Sequence, residues 1–170
     1  MTETTTTRMR RPPDVAYKVI NPLMGLLLRS PLHGPLGERL LLLEYTGRKS
    51  GKRFRLPVAY VREGRELLLA TQSGWKANFR DGAPVKVWLG GERRPAFAEL
   101  IDAAAGVADA LGRMVRAQPN FARIIGVAVG PDGAIAQADL ARVRGEGFAA
   151  IRVTLGSGGA GGATWRARSW

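Results

Sequence analysis

Glycine divides this sequence into strand-length runs. Leu40-Leu41-Leu42-Leu43-Glu44-Tyr45-Thr46 stops at Gly47, Phe54 to Val61 at Glu63-Gly64, Glu66 to Thr71 at Ser73-Gly74, and Val85 to Leu89 at Gly90-Gly91. Arg93 to Leu100 follows at once, so Gly90-Gly91 has the form of a two-residue hairpin turn. One longer helical pattern, Ala103 to Gln118, interrupts the series and is stopped by Pro119. Phe121 to Ile125 adds a turn, Asp139 to Arg144 a short helix, and Phe148 to Leu155 a last strand. Strands joined by short turns, with helix inserted before the last of them, predict an α+β fold that is mainly β. The expected form is a small antiparallel barrel of about six strands with flanking helices.

The chain has 170 residues, enough for one domain with a core of its own. Residues 1–13 are Thr-rich, then basic, then Pro12-Pro13, and are expected to be disordered. The single domain is expected over 14–155, and 156–170 reads as a flexible Gly-rich tail carrying Trp165 and Trp170. After a plausible N-cap at Asp14, Val15, Val19, Ile20, Leu23, Met24, Leu27 and Leu28 recur at helical spacing, and Pro31, Gly34, Pro35 and Gly37 break that helix. Packing on the core is one reading of its apolar face. Contact with lipid is another, since Arg11, Lys18 and Arg29 flank it. The run is too short to cross a bilayer and no small-residue cleavage site follows it, so the chain reads as cytoplasmic, with peripheral membrane contact through this helix as the second reading.

Lys and Arg number 26 against 14 Asp and Glu, a net charge of +12 that favours anionic partners. Cysteine is absent, which excludes disulfides, thiolate nucleophiles, iron–sulfur clusters and zinc fingers. His33 is the only histidine, so no metal site is expected and no Ser-His-Asp arrangement is evident.

The charge is densest in Thr46-Gly47-Arg48-Lys49-Ser50-Gly51-Lys52-Arg53-Phe54-Arg55. Gly47 and Gly51 permit positive φ, and backbone N–H groups, the Ser50 hydroxyl and the cations Arg48, Lys49, Lys52, Arg53 and Arg55 would converge as an anion nest. The spacing is neither that of a Walker loop nor that of a dinucleotide fingerprint. A hairpin turn whose charges protect a strand edge accounts for the same residues equally well. In Leu56-Pro57-Val58, Pro57 lacks an N–H, which puts that strand at an edge or a bulge. A second loop, Thr71-Gln72-Ser73-Gly74-Trp75-Lys76-Ala77-Asn78, sets a flat apolar face beside uncharged polar groups and one more cation. Such a loop suits a planar heterocycle, and it equally suits a core Trp in a helical turn capped by Asn78.

The order of these features, an apolar strand ending T-G-R-K-S-G, basic residues, a strand containing Pro, then an S-G-W-x-x-N loop, resembles the deazaflavin (F420)-dependent nitroreductase and quinone reductase family. That family has the split-barrel fold of flavin mononucleotide-binding proteins. The resemblance implies an F420-dependent oxidoreductase that passes a hydride to a small-molecule acceptor such as a quinone, an enone or a nitroaromatic. It implies that Arg48, Lys49, Ser50 and Gly51 bind the coenzyme's phosphate and acidic tail, assisted by Lys52, Arg53 and Arg55. Leu56, Pro57 and Val58 would lie along the ring, and the loop from Thr71 to Asn78 would close over it. Tyr17, Leu23, Met24 and Leu27, with Phe121 and Ile124, are the implied substrate-pocket residues. Two departures stand out. Gly74 abuts Trp75 where relatives have a longer loop, and Gln118-Pro119-Asn120-Phe121-Ala122-Arg123-Ile124-Ile125 has no tyrosine where relatives carry Y-P-x-x-x-x-Y. No catalytic acid is therefore assigned. Glu44 and Asp81 read as salt-bridge partners of the basic segments. Three alternatives remain open on the residues: a split barrel using flavin mononucleotide (FMN), a cofactor-binding barrel without turnover, and a basic nucleic-acid module stacking bases on Trp75 and Phe79. No motif for specific nucleic-acid recognition is present, and both monomer and dimer are compatible with the sequence.

Overall fold

The structure, a computed structural model, describes residues 40–156. The expected N-terminal helix, with Tyr17, Leu23, Met24 and Leu27, lies outside the described residues, as do His33, Trp165 and Trp170.

Seven strands form one antiparallel sheet: β1 Leu40–Thr46, β2 Arg53–Ala59, β3 Val61–Glu63, β4 Glu66–Thr71, β5 Ala83–Leu89, β6 Glu92–Ile101 and β7 Ala149–Leu155. Their order is β2-β1-β5-β6-β7-β4-β3. A 3-10 helix, Gly74–Phe79, precedes β5. Three helices separate β6 from β7: α1 Ala104–Ala117, α2 Pro119–Ile125 and α3 Gln137–Gly145.

The strand count corrects the sequence reading by one, because the run from Phe54 to Val61 divides at Tyr60. β2 pairs with β1, whereas β3 pairs with β4. Sequence neighbours thus occupy the two ends of the strand order. A flat sheet of this size would hold those ends roughly 29 Å apart at ~4.8 Å per strand gap. The chain from Ala59 to Val61 spans at most ~7 Å. The sheet therefore curls on itself, and β2 approaches β4. The result is a curled antiparallel half-barrel, in keeping with the small barrel expected from the strand pattern and with the split-barrel fold that the resemblance implied.

Alternation along each strand then sorts the side chains. Leu41, Leu43, Tyr45, Val58, Leu67, Leu69, Val87, Ile151 and Val153 point into the barrel, where Phe79 of the 3-10 helix joins them. Leu68 and Val61 face outward into a second cluster with Val107, Leu111, Met114 and Val115 of α1. Those α1 positions recur at i, i+4, i+7 and i+8, one face of a helix. Pro119 begins α2 at its first turn, where its missing N–H is harmless, and Gly126 ends it in the left-handed conformation. Gln118 Nε2 donates to the Tyr60 carbonyl at 3.2 Å, tying the helices to the point where the edges meet. Arg113 of α1 pairs with Glu63 of β3, a contact that holds the Glu63 carboxyl below its usual range.

The hairpin at Gly90-Gly91 is present, with φ of 56° and 80° and Leu89 paired to Glu92. Pro57 lies on β2, at an end of the sheet order, as its missing N–H requires.

Leu111 is wholly buried between α1 and the sheet. Leu111→Ala is expected to lower unfolding free energy by about 2–5 kcal/mol in urea denaturation, because the sheet cannot collapse into the space left behind.

Candidate functional site

The basic loop is a tight hairpin between β1 and β2. Gly47 N–H donates to the Lys52 carbonyl and Gly51 N–H to the Gly47 carbonyl, both at 2.9 Å. Gly51 has φ +65°, as the turn demands. Gly47 serves a different purpose from the one expected. Its φ is not positive, but a Cβ there would lie 2.8 Å from Phe54 Cε2 and 2.8 Å from Ser50 Oγ. Glycine lets the Phe54 ring lie against the loop backbone. Lys52 N–H reaches Ser50 Oγ at 3.3 Å. Of the loop amides, those of Lys49 and Ser50 make no hydrogen bond among the described residues, so the outward-facing donors are fewer than an open nest would supply.

The second loop leaves β4 at Thr71, whose Oγ1 accepts the Ser73 N–H at 3.0 Å, and enters the 3-10 helix. Phe79 anchors that helix in the barrel, and Trp75 packs half-buried on the same cluster. Asn78 joins the two loops. Its Nδ2 donates to the Trp75 carbonyl at 2.7 Å, while its Oδ1 accepts the Arg48 backbone N–H at 2.9 Å. The Arg48 guanidinium adds a 2.7 Å ion pair to Asp81, exposed on both sides and therefore a minor contribution. Lys76 turns away from the basic loop: its Nζ donates to the Gly147 carbonyl at 2.7 Å and the Gln72 carbonyl at 3.3 Å.

An aromatic group links the two loops; the sequence reading singled out Trp75 and Phe79 but not Tyr45, on which the group is centred. Tyr45, buried, stacks on Phe54 with centroids 5.4 Å apart and on Trp75 at 6.2 Å, and Phe79 meets it edge-on at 5.3 Å. Burial pushes the Tyr45 phenol up, so it stays protonated at neutral pH. A signal for the pair existed: in a hairpin closing over residues 47–52, Thr46 faces Arg53 and Tyr45 faces Phe54.

The same register splits the predicted cationic cradle. Phe54, Leu56 and Val58 share the barrel side with Tyr45, whereas Arg53, Arg55 and Pro57 lie on the other side of the strand. Arg55 Nε binds Glu44 Oε2 at 2.6 Å, and Arg93 of β6 binds Glu44 Oε1 at 2.7 Å. Arg93 also lies over the Trp88 ring, 5.8 Å from its centroid. Arg55 therefore neutralises a buried carboxylate on the outer face and does not line the rim. Burial raises the Glu44 pKa, but the hydrogen bonds and charges of Arg93 and Arg55 outweigh it, and the carboxyl titrates below its usual range. Glu44 and Asp81 are salt-bridge partners, in keeping with the sequence reading. Lys49, Lys52 and Arg53 are exposed and form no ion pair among the described residues.

The structure does not bring Phe121 and Ile124 to this rim. Phe121 is buried in the helical cluster on the outer side of the sheet, and Ile124 is 69% exposed on α2. Their helix packs on α1, which holds it against that side. Phe79, offered as a base-stacking residue in the nucleic-acid reading, is fully buried and has no face to offer.

This arrangement, a basic hairpin loop tied to a 3-10 helix with a connected group of aromatic rings, accompanies a match to a known family. Residues 30–126 match the F420H(2)-dependent quinone reductase family, and the chain belongs to that family. It is accordingly an oxidoreductase whose coenzyme is F420. None of the curated proteins compared matches the chain. Among solved structures, it is similar to one described as a domain-swapped dimer, with 17% identity, coverage of 84% of this chain and 99% of that one, and a TM-score of 0.48. It is also similar to the FAD and heme binding protein from Mycobacterium smegmatis, with 20% identity, coverage of 71% and 63%, and a TM-score of 0.42. Among the described residues no helix is long and apolar enough to cross a membrane.

Two variants probe the electrostatics. Glu44→Gln is expected to lower stability by about 1–3 kcal/mol at pH 7, since it leaves Arg55 and Arg93 without a charged partner. Because the folded pKa of Glu44 is depressed, this contribution is complete above the unfolded value near ~4.3 and fades as pH falls through the folded value. The gap between wild type and Glu44→Gln in urea denaturation should therefore close in acid. Asn78→Ala is expected to loosen the joint between the loops, seen as faster amide hydrogen exchange at Arg48 with little change in the barrel strands.

Proposed function

We propose that the rim formed by the two joined loops binds F420 and that the protein uses the reduced coenzyme to reduce a quinone. The observation that carries this reading is the bond from the Arg48 amide to Asn78, which ties the loop bearing Lys49 and Lys52, cations without an ion pair among the described residues, to the 3-10 helix bearing Trp75, while Tyr45 stacks on both Phe54 and Trp75. F420 combines a flat tricyclic ring with a phosphate and an acidic tail. Its chemistry matches that donor set: two amides without a hydrogen bond among the described residues, a hydroxyl and exposed cations for the anionic end, an apolar shelf for the ring. The quinone is favoured as acceptor by the family; enones and nitroaromatics of similar shape are second choices.

Reduced deazaflavin supplies a hydride, and the protein contributes binding, orientation and exclusion of water. Lys49, Ser50 and Lys52 hold the anionic end, and Leu56 and Trp75 offer the apolar wall. The 3-10 helix, fixed by Phe79 and by the two carbonyls that Lys76 grips, keeps that wall from moving. Holding ring and acceptor in contact accounts for much of the acceleration such an enzyme needs, up to roughly 7–11 kcal/mol. Arg48 engages Asp81, no catalytic acid is assigned, and water is given the role of proton source. The cytoplasm, where the coenzyme would be reduced, is the proposed location.

Titration of the pure protein with F420 and with FMN, followed by fluorescence, tests the reading. F420 is expected to bind and to exchange freely; tighter, co-purifying FMN would replace it. Lys49→Ala with Lys52→Ala should weaken F420 by about tenfold at low ionic strength, less as salt rises, with unfolding unchanged. Arg55→Ala should do the reverse, lowering stability through Glu44 and leaving affinity nearly intact. Equal F420 affinity in the lysine double variant and the wild type would reject the cradle.

A further inference from the structure

The geometry points to Phe54 as the platform on which the coenzyme's ring stacks, an inference that rests on the proposed binding of F420 at this rim. Among the described residues only Phe54, Ile124 and Val129 are large apolar side chains with substantial exposure, and Phe54 is the only aromatic of the three. A single exposed apolar residue needs no explanation by itself. Phe54 differs because its ring is held on two sides. Gly47 leaves room for its edge to lie on the loop backbone, and Tyr45 covers one face at 5.4 Å with an interplanar angle of 21°. Tyr45 in turn meets Trp75 at 29°, and Tyr45 is buried while Phe54 is 40% exposed. The three rings make an offset, near-parallel ladder whose outer rung is Phe54. Its uncovered surface can accept one more flat ring.

The surroundings specify what kind of ring. Lys52 precedes Phe54 by two residues at the mouth of the hairpin, and Lys49 belongs to the same loop; neither is paired among the described residues. A planar heteroaromatic with an anionic substituent would gain both stacking and charge, and little side-chain freedom would be lost because the ring is already held. Arg55, the next residue, sits on the opposite face with Glu44, so strand alternation alone decides which neighbour meets the ligand.

The test uses two probes: F420 itself, and its deazaflavin chromophore without phosphate or acidic tail. Phe54→Ala and Phe54→Tyr are titrated beside the wild type and the lysine double variant, and each variant is checked by thermal unfolding. Phe54→Ala is expected to weaken both probes by about tenfold, Phe54→Tyr to stay within about twofold, and the lysine variant to weaken F420 alone. If the wild type binds both probes and Phe54→Ala binds them equally well, the platform is overturned and the coenzyme reading survives. If Phe54→Tyr loses as much as Phe54→Ala, stacking is likewise overturned. If the wild type binds neither probe, the coenzyme reading fails and the platform falls with it.

Discussion

A single residue, Tyr60, connects the two ends of a seven-stranded sheet, and the architecture follows from that connection. Strands that open and close the order cannot be covalent neighbours unless the sheet bends round to bring them together. Once it bends, every strand acquires an inside and an outside. Tyr60 turns its own side chain into the barrel core, while Val61, one residue on, packs beneath the helices. The carbonyl of Tyr60 is held by Gln118 from the end of α1, so the helical layer is fastened at the place where the curl completes.

This division decides which charges are available for binding. The basic segment reads as one block, yet its members diverge. Arg48 clasps Asp81, Arg55 shares Glu44 with Arg93, and Lys76 is occupied by backbone carbonyls. Among the described residues, what stays uncommitted is Lys49, Lys52 and Arg53, together with the amides of Lys49 and Ser50. A net charge of +12 overstates the field at the rim, because the local pairs absorb part of it. The aromatic residues compensate: Tyr45, Phe54, Trp75 and Phe79 come from β1, β2 and the 3-10 helix and form one connected group.

Much of the fold was legible because its signals are local. Glycine turns bounded the strands, Pro119 closed α1, and the absent N–H of Pro57 required an edge. The pairing of β1 with β5 and of β4 with β7 was not legible, since it joins segments far apart in the chain and depends on barrel closure. The basic loop and the Trp75 loop were both recognised by residue type. Their union was not, because it runs through a main-chain donor that no side-chain pattern encodes. Phe121 shows the opposite case: an aromatic beside a Pro in a helix looks the same in sequence whether it lines a pocket or fills a core, and here the barrel wall separates it from the rim.

The Arg48–Asn78 joint has an evolutionary corollary. Every amino acid except proline offers the same amide hydrogen at position 48, so the hairpin can exchange its charges and retune its preferred anion while the hinge point between the loops survives. The burden of inheritance falls on Asn78, whose two-ended amide group is the partner that ordinary substitution removes.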